Sequence, residues 1–314
     1  MLQQFSCIAQ TSQAHSSPEQ AFLTDDSVEI LRFASDALKL GMAAALVTLT
    51  EIRGGAPRPL GAQMAVREDG LYCGFVSGGC IESAAAFEAL AVISSGQDRT
   101  VIYGEGSPWF DIVLPCGGGI TLSIHKLRSA QPLLTVLNTL EQRRCAGLAY
   151  NPQTQTLRSL FPTRESGLNG TDFEVRYRPR TRLVICGRSV EAQAAARVAQ
   201  AAGYEVHLND FRLPIPVQID ADTAVILLDH DLDRELPVLQ AALAATPFYI
   251  GALGSRKTHG RRLQKLHELG WQTQDTDRIK APIGIFPKAR DANSLALSVL
   301  ADVAAARHSS TAFS

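Results

Sequence analysis

The sequence predicts an α/β protein in two parts, a mixed α+β domain followed by a domain built on a parallel sheet. Three observations carry that reading. At 314 residues the chain exceeds what one hydrophobic core comfortably organises. Beyond about residue 179, short apolar runs alternate with helical stretches, the pattern of a parallel sheet with right-handed crossovers. Before that point the chain carries a hairpin signal and two glycine-rich loops but no such alternation.

Residues 1–26 are rich in Gln and Ser, with neither a basic start nor an apolar run, and read as a frayed leader rather than an export signal. The first helix is expected from Ser27 to Leu40, with Val28, Leu31 and Leu38 on one face and Gly41 as its stop. Ala44 to Leu49 reads as a buried strand that ends in the Gly- and Pro-rich loop Arg53 to Gly61. Gln63 to Arg67 and Leu71 to Val76 flank Asp69-Gly70, a short hairpin signal. A helix follows from about Ile81 to Leu90, then strands near Thr100 to Tyr103 and Ile120 to Ile124, joined by a loop through Cys116. From about 130 to 178 only one helix, a few short strands and polar turns are legible. The basic stretch around Pro179 (Arg176, Arg178, Arg180 and Arg182) marks the expected boundary, dividing an N-terminal domain of 27–178 from a C-terminal domain of 179–314. There the expected strands are Leu183 to Cys186, Glu205 to Leu208, Thr223 to Leu228 and Phe248 to Gly251. The expected helices are Ala192 to Ala202, Leu232 to Ala245 and Ser255 to Leu269.

Bulk properties exclude several classes of function. Hydrophobic residues make up 46% and charged residues 19%, a globular balance. A net charge of -1 argues against an electrostatic grip on nucleic acid or on an acidic membrane. No apolar run approaches the roughly 20 residues that cross a bilayer. The six cysteines show no C-x-x-C spacing, which speaks against a zinc ribbon and for reduced thiols in the cytoplasm. Cys7 lies in the leader, and Cys73, Cys145 and Cys186 lie in or beside apolar runs.

Cys80 and Cys116 are different. Ser77-Gly78-Gly79-Cys80 and Pro115-Cys116-Gly117-Gly118-Gly119 each set a thiol beside glycines that let backbone N–H groups approach a ligand. The first segment runs straight into a helix, so Cys80 is expected in its first turn, where the positive helix end favours a thiolate and a bound anion. The plain alternative is that the glycines form tight turns and the thiols serve as small apolar groups.

In the second half, Gly187-Arg188-Ser189-Val190-Glu191-Ala192 stands where a dinucleotide fingerprint would read G-x-G-x-x-G, and Asp210 lies where such folds place the acid that holds a ribose. Ser189 in place of the second glycine costs close approach to a pyrophosphate. The reading is a Rossmann-like fold that does not use NAD in the usual way. Asp229-His230-Asp231 and Gly254-Ser255-Arg256-Lys257 also fall at carboxyl ends of strands, where these sheets bind ligands. Asp229 and Asp231 serve equally well as caps of the next helix. Arg256 and Lys257 suit a phosphate, whereas Arg261, Arg262 and Lys265 read as a solvated face.

Taken together, these stretches resemble the XdhC/CoxI family of molybdoenzyme maturation factors. The matching segments are Thr48 to Gly61, Gly74 to Glu82, Leu114 to Gly119, His230-Asp231, Tyr249 to Arg256 and Ala281 to Gly284, in the family's order. Singly each is weak; the ordered set is specific. The resemblance implies a chaperone that binds the molybdenum cofactor (as molybdopterin or its nucleotide form) and assists its sulfuration. It further implies delivery to the large subunit of a xanthine dehydrogenase, aldehyde oxidoreductase or CO dehydrogenase type of enzyme. A sulfur-donating cysteine desulfurase and a homodimer are the further implied partners, and no catalytic residue is implied. Within that role Gly78, Gly79, Gly117, Gly118 and Gly119 would supply backbone donors, and Cys80 and Cys116 a soft ligand or a persulfide relay. Glu82 would hold pterin nitrogens and Arg58 would reach the phosphate. Gly187, Asp210, His230, Asp231, Ser255 and Arg256 are secondary candidates. The sequence departs from the family at Ser189 and at Lys280, where histidine is frequent. Two other functions remain open: an NAD(P)-dependent oxidoreductase built on Gly187, Asp210 and His230, and an assembly partner with no small ligand.

Overall fold

The computed structural model describes residues 17–107, 117–211, 215, 217–229, 231–286 and 289–312, the side chains of 310–312 excepted. Two units, Met1–Tyr177 and Arg178–Ser314, each gather around their own sheets, mixed α+β in the first and parallel in the second.

Strand alternation builds the first unit. Its central strand, β2 (Ala44–Arg53), turns Ala45, Val47 and Leu49 to one core and Ala44 and Leu46 to another. β2 lies in a six-stranded sheet with β1 (Glu19–Gln20), β3 (Gln63–Arg67), β4 (Leu71–Gly74), β5 (Arg99–Gly104) and β6 (Gly119–Lys126), in the order β1-β4-β3-β2-β6-β5. α1 (Ser27–Lys39), capped by Asp26, and α3 (Gln131–Glu141) cover one face, while α2 (Glu82–Ser95) covers the other with Ala85, Ala86, Ala89 and Leu90. A four-stranded antiparallel sheet, β7 (Ala146–Asn151), β8 (Thr156–Leu160), β9 (Gly167–Asn169) and β10 (Asp172–Tyr177), fills the stretch where the sequence signal was weak. The buried Tyr177 hydroxyl donates to Gln63 Oε1 at 2.6 Å, tying β10 to β3.

The expectation of a frayed leader is corrected for residues 17–26. β1 pairs in parallel with β4, the Glu19 and Ala21 N–H groups donating to the Gly70 and Tyr72 carbonyls at 3.0 and 2.8 Å. Phe22 then stacks edge-on against Phe33 of α1. A β4 edge that would otherwise be open explains why so polar a segment is held.

The second unit is a five-stranded parallel sheet in the order β12-β11-β13-β14-β15. Its strands are β11 (Arg182–Cys186), β12 (Glu205–Asn209), β13 (Thr223–Leu227), β14 (Tyr249–Ala252) and β15 (Ile279–Lys280). α4 (Val190–Ala201) and α8 (Ala292–Ala312) cover one face, and α5 (Leu232–Ala244) and α6 (Arg256–Glu268) the other. Strand order reverses at β11, so the loops after β11 and β13 flank the crevice where such sheets take ligands. α7 (Thr273–Thr276), β15 and α8 carry no strong sequence signal. Lys280, one of the departures from the family pattern, forms an ion pair with the buried Asp302 of α8, which also accepts from Tyr249 at 2.7 Å.

Arg262 is a correction. Expected on a solvated face, it is 0% exposed, and its guanidinium donates to Glu235 of α5 at 3.0 and 2.7 Å and to the Leu253 carbonyl at 2.9 Å. The pair locks α6 to α5 and to the end of β14. Removing the cation alone would strand Glu235 in the interior. Arg262→Ala should therefore lower unfolding free energy by about 3–5 kcal/mol in denaturant titrations, whereas the Arg262→Met/Glu235→Leu double variant should recover most of that loss.

Candidate functional site

β4 ends at Gly74, and the chain turns through Gly78 and Gly79 (φ 85° and 113°) before α2 begins at Glu82. Such a turn brings successive N–H groups to one side, making a concavity that attracts an anion. The anion is Glu82 itself, 3% exposed. Its Oε1 accepts from the Val76, Ser77 and Gly78 N–H groups at 2.9, 2.7 and 3.1 Å. Its Oε2 accepts from the Gly79 and Ile81 N–H groups at 2.9 and 3.2 Å and from the Ser77 hydroxyl at 2.8 Å. Ser77 Oγ in turn accepts from the Cys80 and Ile81 N–H groups. Burial pushes the Glu82 carboxyl up, yet the hydrogen bonds from Ser77 and Val76 outweigh it and hold the group below its ordinary value.

Three expectations are corrected here. Glu82 faces inward and does not project toward a ligand. The Gly78 and Gly79 N–H groups are spent on that carboxylate. Cys80 precedes the helix rather than lying in its first turn, because Ile81 takes the N-cap position. The thiol is exposed on a loop fixed from within.

The second glycine segment meets the same neighbour as the first. A Cβ at Gly78 would lie 3.3 Å from Pro57, and a Cβ at Gly118 would lie 2.5 and 2.7 Å from the Arg53 and Gly55 carbonyls. Gly119, at the start of β6, backs onto the Glu105 carbonyl with no room for a side chain. The loop Arg53 to Gly61 thus packs against both segments. Gly117 begins the described part of the second segment; Cys116 lies outside the described residues. Arg58, on the shared loop, pairs with Asp25 at 2.9 Å and stacks over Phe75. It lines a cavity of about 600 Å³ together with Phe75, Gln63, Glu165 and Arg176.

In the second unit, Gly187 (φ 149°) packs so closely on the Leu228 carbonyl that a Cβ would reach it at 2.5 Å. Ser189 caps α4, accepting from the Ala192 N–H at 3.3 Å and donating to the Leu228 carbonyl at 3.2 Å, which explains a serine where a fingerprint has glycine. Asp210, expected as a ribose-binding acid, is ion-paired with Arg188 and Arg234. Asp231 caps α5 and Ser255 caps α6, each through its side chain. Ser255 and Arg256 line a cavity of about 720 Å³ with Glu191, Ile283 and Phe286. His230 lies outside the described residues.

No motif marks a buried polar cluster in the first unit. Asp98 meets His125 Nδ1 at 2.5 Å and accepts from the Tyr150 hydroxyl at 2.8 Å and the Lys126 N–H at 3.0 Å. Burial pushes the Asp98 carboxyl up, and His125 and the Lys126 N–H more than offset that. Its members are too scattered along the chain to form a spacing pattern. Among the described residues no group of three or more His, Cys, Asp or Glu is placed to hold a metal ion. Cys73 and Cys186 are buried, and burial pushes both thiols up to about 12.

Comparison with known proteins identifies the lineage. The sequence profile of the XdhC and CoxI family matches residues 37–104, and that of the XdhC Rossmann domain matches residues 183–303. The molybdenum cofactor insertion chaperone PaoD of Escherichia coli (strain K12) is 68% identical over 291 residues, covering 92% of each chain. The chain belongs to the XdhC and CoxI family. More distant similarity links this family member to a probable xanthine dehydrogenase subunit of Bacillus subtilis (strain 168), 21% identical over 83% of this chain and 92% of the relative. A crystal structure from Bacillus halodurans, described as a xanthine dehydrogenase, superposes with a TM-score of 0.73 at 20% identity, covering 90% of this chain and 96% of its own; it shares the fold. The family match over 37–104 contains the Cys80 turn, and the Rossmann match spans β11 into α8.

The carboxylate in the turn gives a direct test. In Glu82→Gln an amide replaces one acceptor oxygen with a donor, leaving several N–H groups unmatched. The variant should lose about 2–3 kcal/mol of stability at neutral pH and exchange its 76–81 amides faster with deuterium. Because the folded carboxyl lies below its ordinary value of 4.5, its stabilising contribution is complete above that value. It is lost as pH falls through the folded value, so the gap between wild type and variant should close below about pH 4.5.

Proposed function

We propose that this chain is a chaperone that binds the molybdenum cofactor, protects it and inserts it into a molybdoenzyme. Kinship carries the class of function, since a relative with 68% identity over 92% of both chains is a molybdenum cofactor insertion chaperone. The observation in this molecule that fits the class best is Cys80, an exposed thiol on a turn fixed by Glu82, beside the loop that also packs against Gly118. A soft sulfur ligand suits the cargo metal, and a fixed turn holds it without further loss of backbone entropy on binding.

In the finer reading, Cys80 and Cys116 assist sulfuration, each as a thiolate ligand or as carrier of a sulfane sulfur taken from a cysteine desulfurase persulfide, whose thiolate leaves. Arg58 receives the phosphate of the cofactor; its present partner Asp25 is an exposed carboxylate whose pairing is weak enough for an anion to displace. Gly117, Gly118 and Gly119 remain candidates for close backbone approach. Glu82 is reassigned from pterin contact to support of the Cys80 turn. The client is a molybdoenzyme of the xanthine dehydrogenase or aldehyde oxidoreductase type, served by a homodimer. Nicotinamide chemistry has less support, because Ser189 fills the second glycine position and Arg188 and Arg234 hold Asp210.

Molybdenum and released pterin, measured in protein purified anaerobically from a cofactor-producing host, test the reading. Wild type should carry cofactor, and Cys80→Ala should weaken retention about tenfold, equivalent to about 1.4 kcal/mol. Substoichiometric cofactor at every loading condition would overturn it. Fluorescence titration with NADH should show no saturable binding in the micromolar range.

A further inference from the structure

A second cavity of the first unit, about 510 Å³, lies along the middle of β2 and β6, near the second glycine segment. Thr50, Glu51, Thr121 and Tyr150, with Thr100, Ser123 and Thr171, give it a polar lining, and Leu60 and Phe173 an apolar one. Three of the hydroxyl protons are already committed. Thr50 donates to the Thr121 carbonyl at 3.1 Å, Thr121 to Glu51 Oε2 at 2.8 Å, and Tyr150 to Asp98 at 2.8 Å. Asp98 stays a firm acceptor because His125 and the Lys126 N–H hold it as the carboxylate. Arg53 Nη1 donates both to Thr121 Oγ1 and to Glu51 Oε2 at 2.8 Å, fixing the orientation of that pair. The Thr121 hydroxyl, first, and then Arg53 hold the Glu51 carboxyl below its ordinary range.

With the Thr50, Thr121 and Tyr150 protons directed into the protein, this part of the wall offers a ligand lone pairs. An occupant that meets Glu51, Thr121 and Tyr150 must bring donors to them. Apolar lining beside acceptor-rich lining, in a cavity of this size, suits a flat ring with N–H groups along one edge. The geometry points to a binding site for an aminopyrimidine edge, with the ring against Leu60 and Phe173 and its amino and ring N–H groups on Glu51 and its neighbouring hydroxyl oxygens. For the choice of ring chemistry this rests on the chaperone reading, since a pterin carries that edge; the base of a nucleotide form carries the same kind of edge. Position agrees with it. Thr121 pairs with Glu51 and Gly119 with Arg53 on the same β2–β6 ladder, so the cavity begins about 7 Å along the strands from Gly119.

Titration of the full chain with 6-hydroxymethylpterin, followed by its fluorescence, and with the ribonucleoside monophosphates as competitors, tests the site. Saturable binding of either arm is expected, weakened about tenfold in Glu51→Gln through loss of a charge-assisted hydrogen bond, and weakened also in Thr50→Val. The arm that binds identifies the source of the edge. Lack of saturable binding in both arms, or affinities within about twofold of wild type in both variants, would overturn the site. Glu51 is exposed at the cavity mouth, so its substitution leaves the core intact; thermal melting of each variant checks this. Anaerobic cofactor content of wild type reads the chaperone function separately. Cofactor retained in wild type with pterin affinity unchanged in both variants would remove this site and leave that function standing.

Discussion

One carboxylate sets the geometry of the Cys80 region. Between β4 and α2 the chain makes a turn whose N–H groups converge, and a turn of that kind is stable only when something negative fills it. In many proteins the filler is a bound phosphate. Here it is Glu82, reaching back from the helix that the turn introduces. Two consequences follow from the same contact. The backbone donors are consumed, so the turn is not itself an anion site. The thiol next to it is held at the surface by a scaffold that needs no ligand to become ordered.

β2 carries the second constraint. Its alternating residues feed two cores, which fixes its register, and its far end therefore delivers Glu51, Arg53 and the Gly-Pro loop to defined places. Both glycine segments meet that loop through contacts that leave little or no space for a side chain. The Arg58 cavity and the hydroxyl-lined cavity share Leu60 as a wall. A single strand and its continuation thus carry Arg58 and pack against Gly78 and Gly118.

Much of this was legible in the sequence. Apolar alternation located β2, β3, β6 and the parallel strands β11 to β14, and glycine stops located the ends of α1 and α4. The family could be read from short segments because their order is specific. What stayed hidden has one physical cause, that a charged residue looks the same in sequence whether it faces water or a partner. Glu82 read as a ligand-facing group and Arg262 as a solvent-facing one, yet Glu82 is buried against the N–H groups of its own turn and Arg262 against Glu235 of another helix. Asp210 read as a ligand acid because its arginine partners come from the loop after β11 and from α5. Asp98, His125 and Tyr150 meet only after β5, β6 and β7 are assembled. β15, two residues long, is too short for any periodicity to show.

The parallel docking of Glu19–Gln20 on β4 joins the segment ahead of α1 to the strand that feeds the thiol turn. A protease that trims the protein ahead of α1 would do more than shorten it. It would uncover a raw sheet margin along β4, inviting strand-to-strand adhesion between molecules and loosening the root of the turn in one cut.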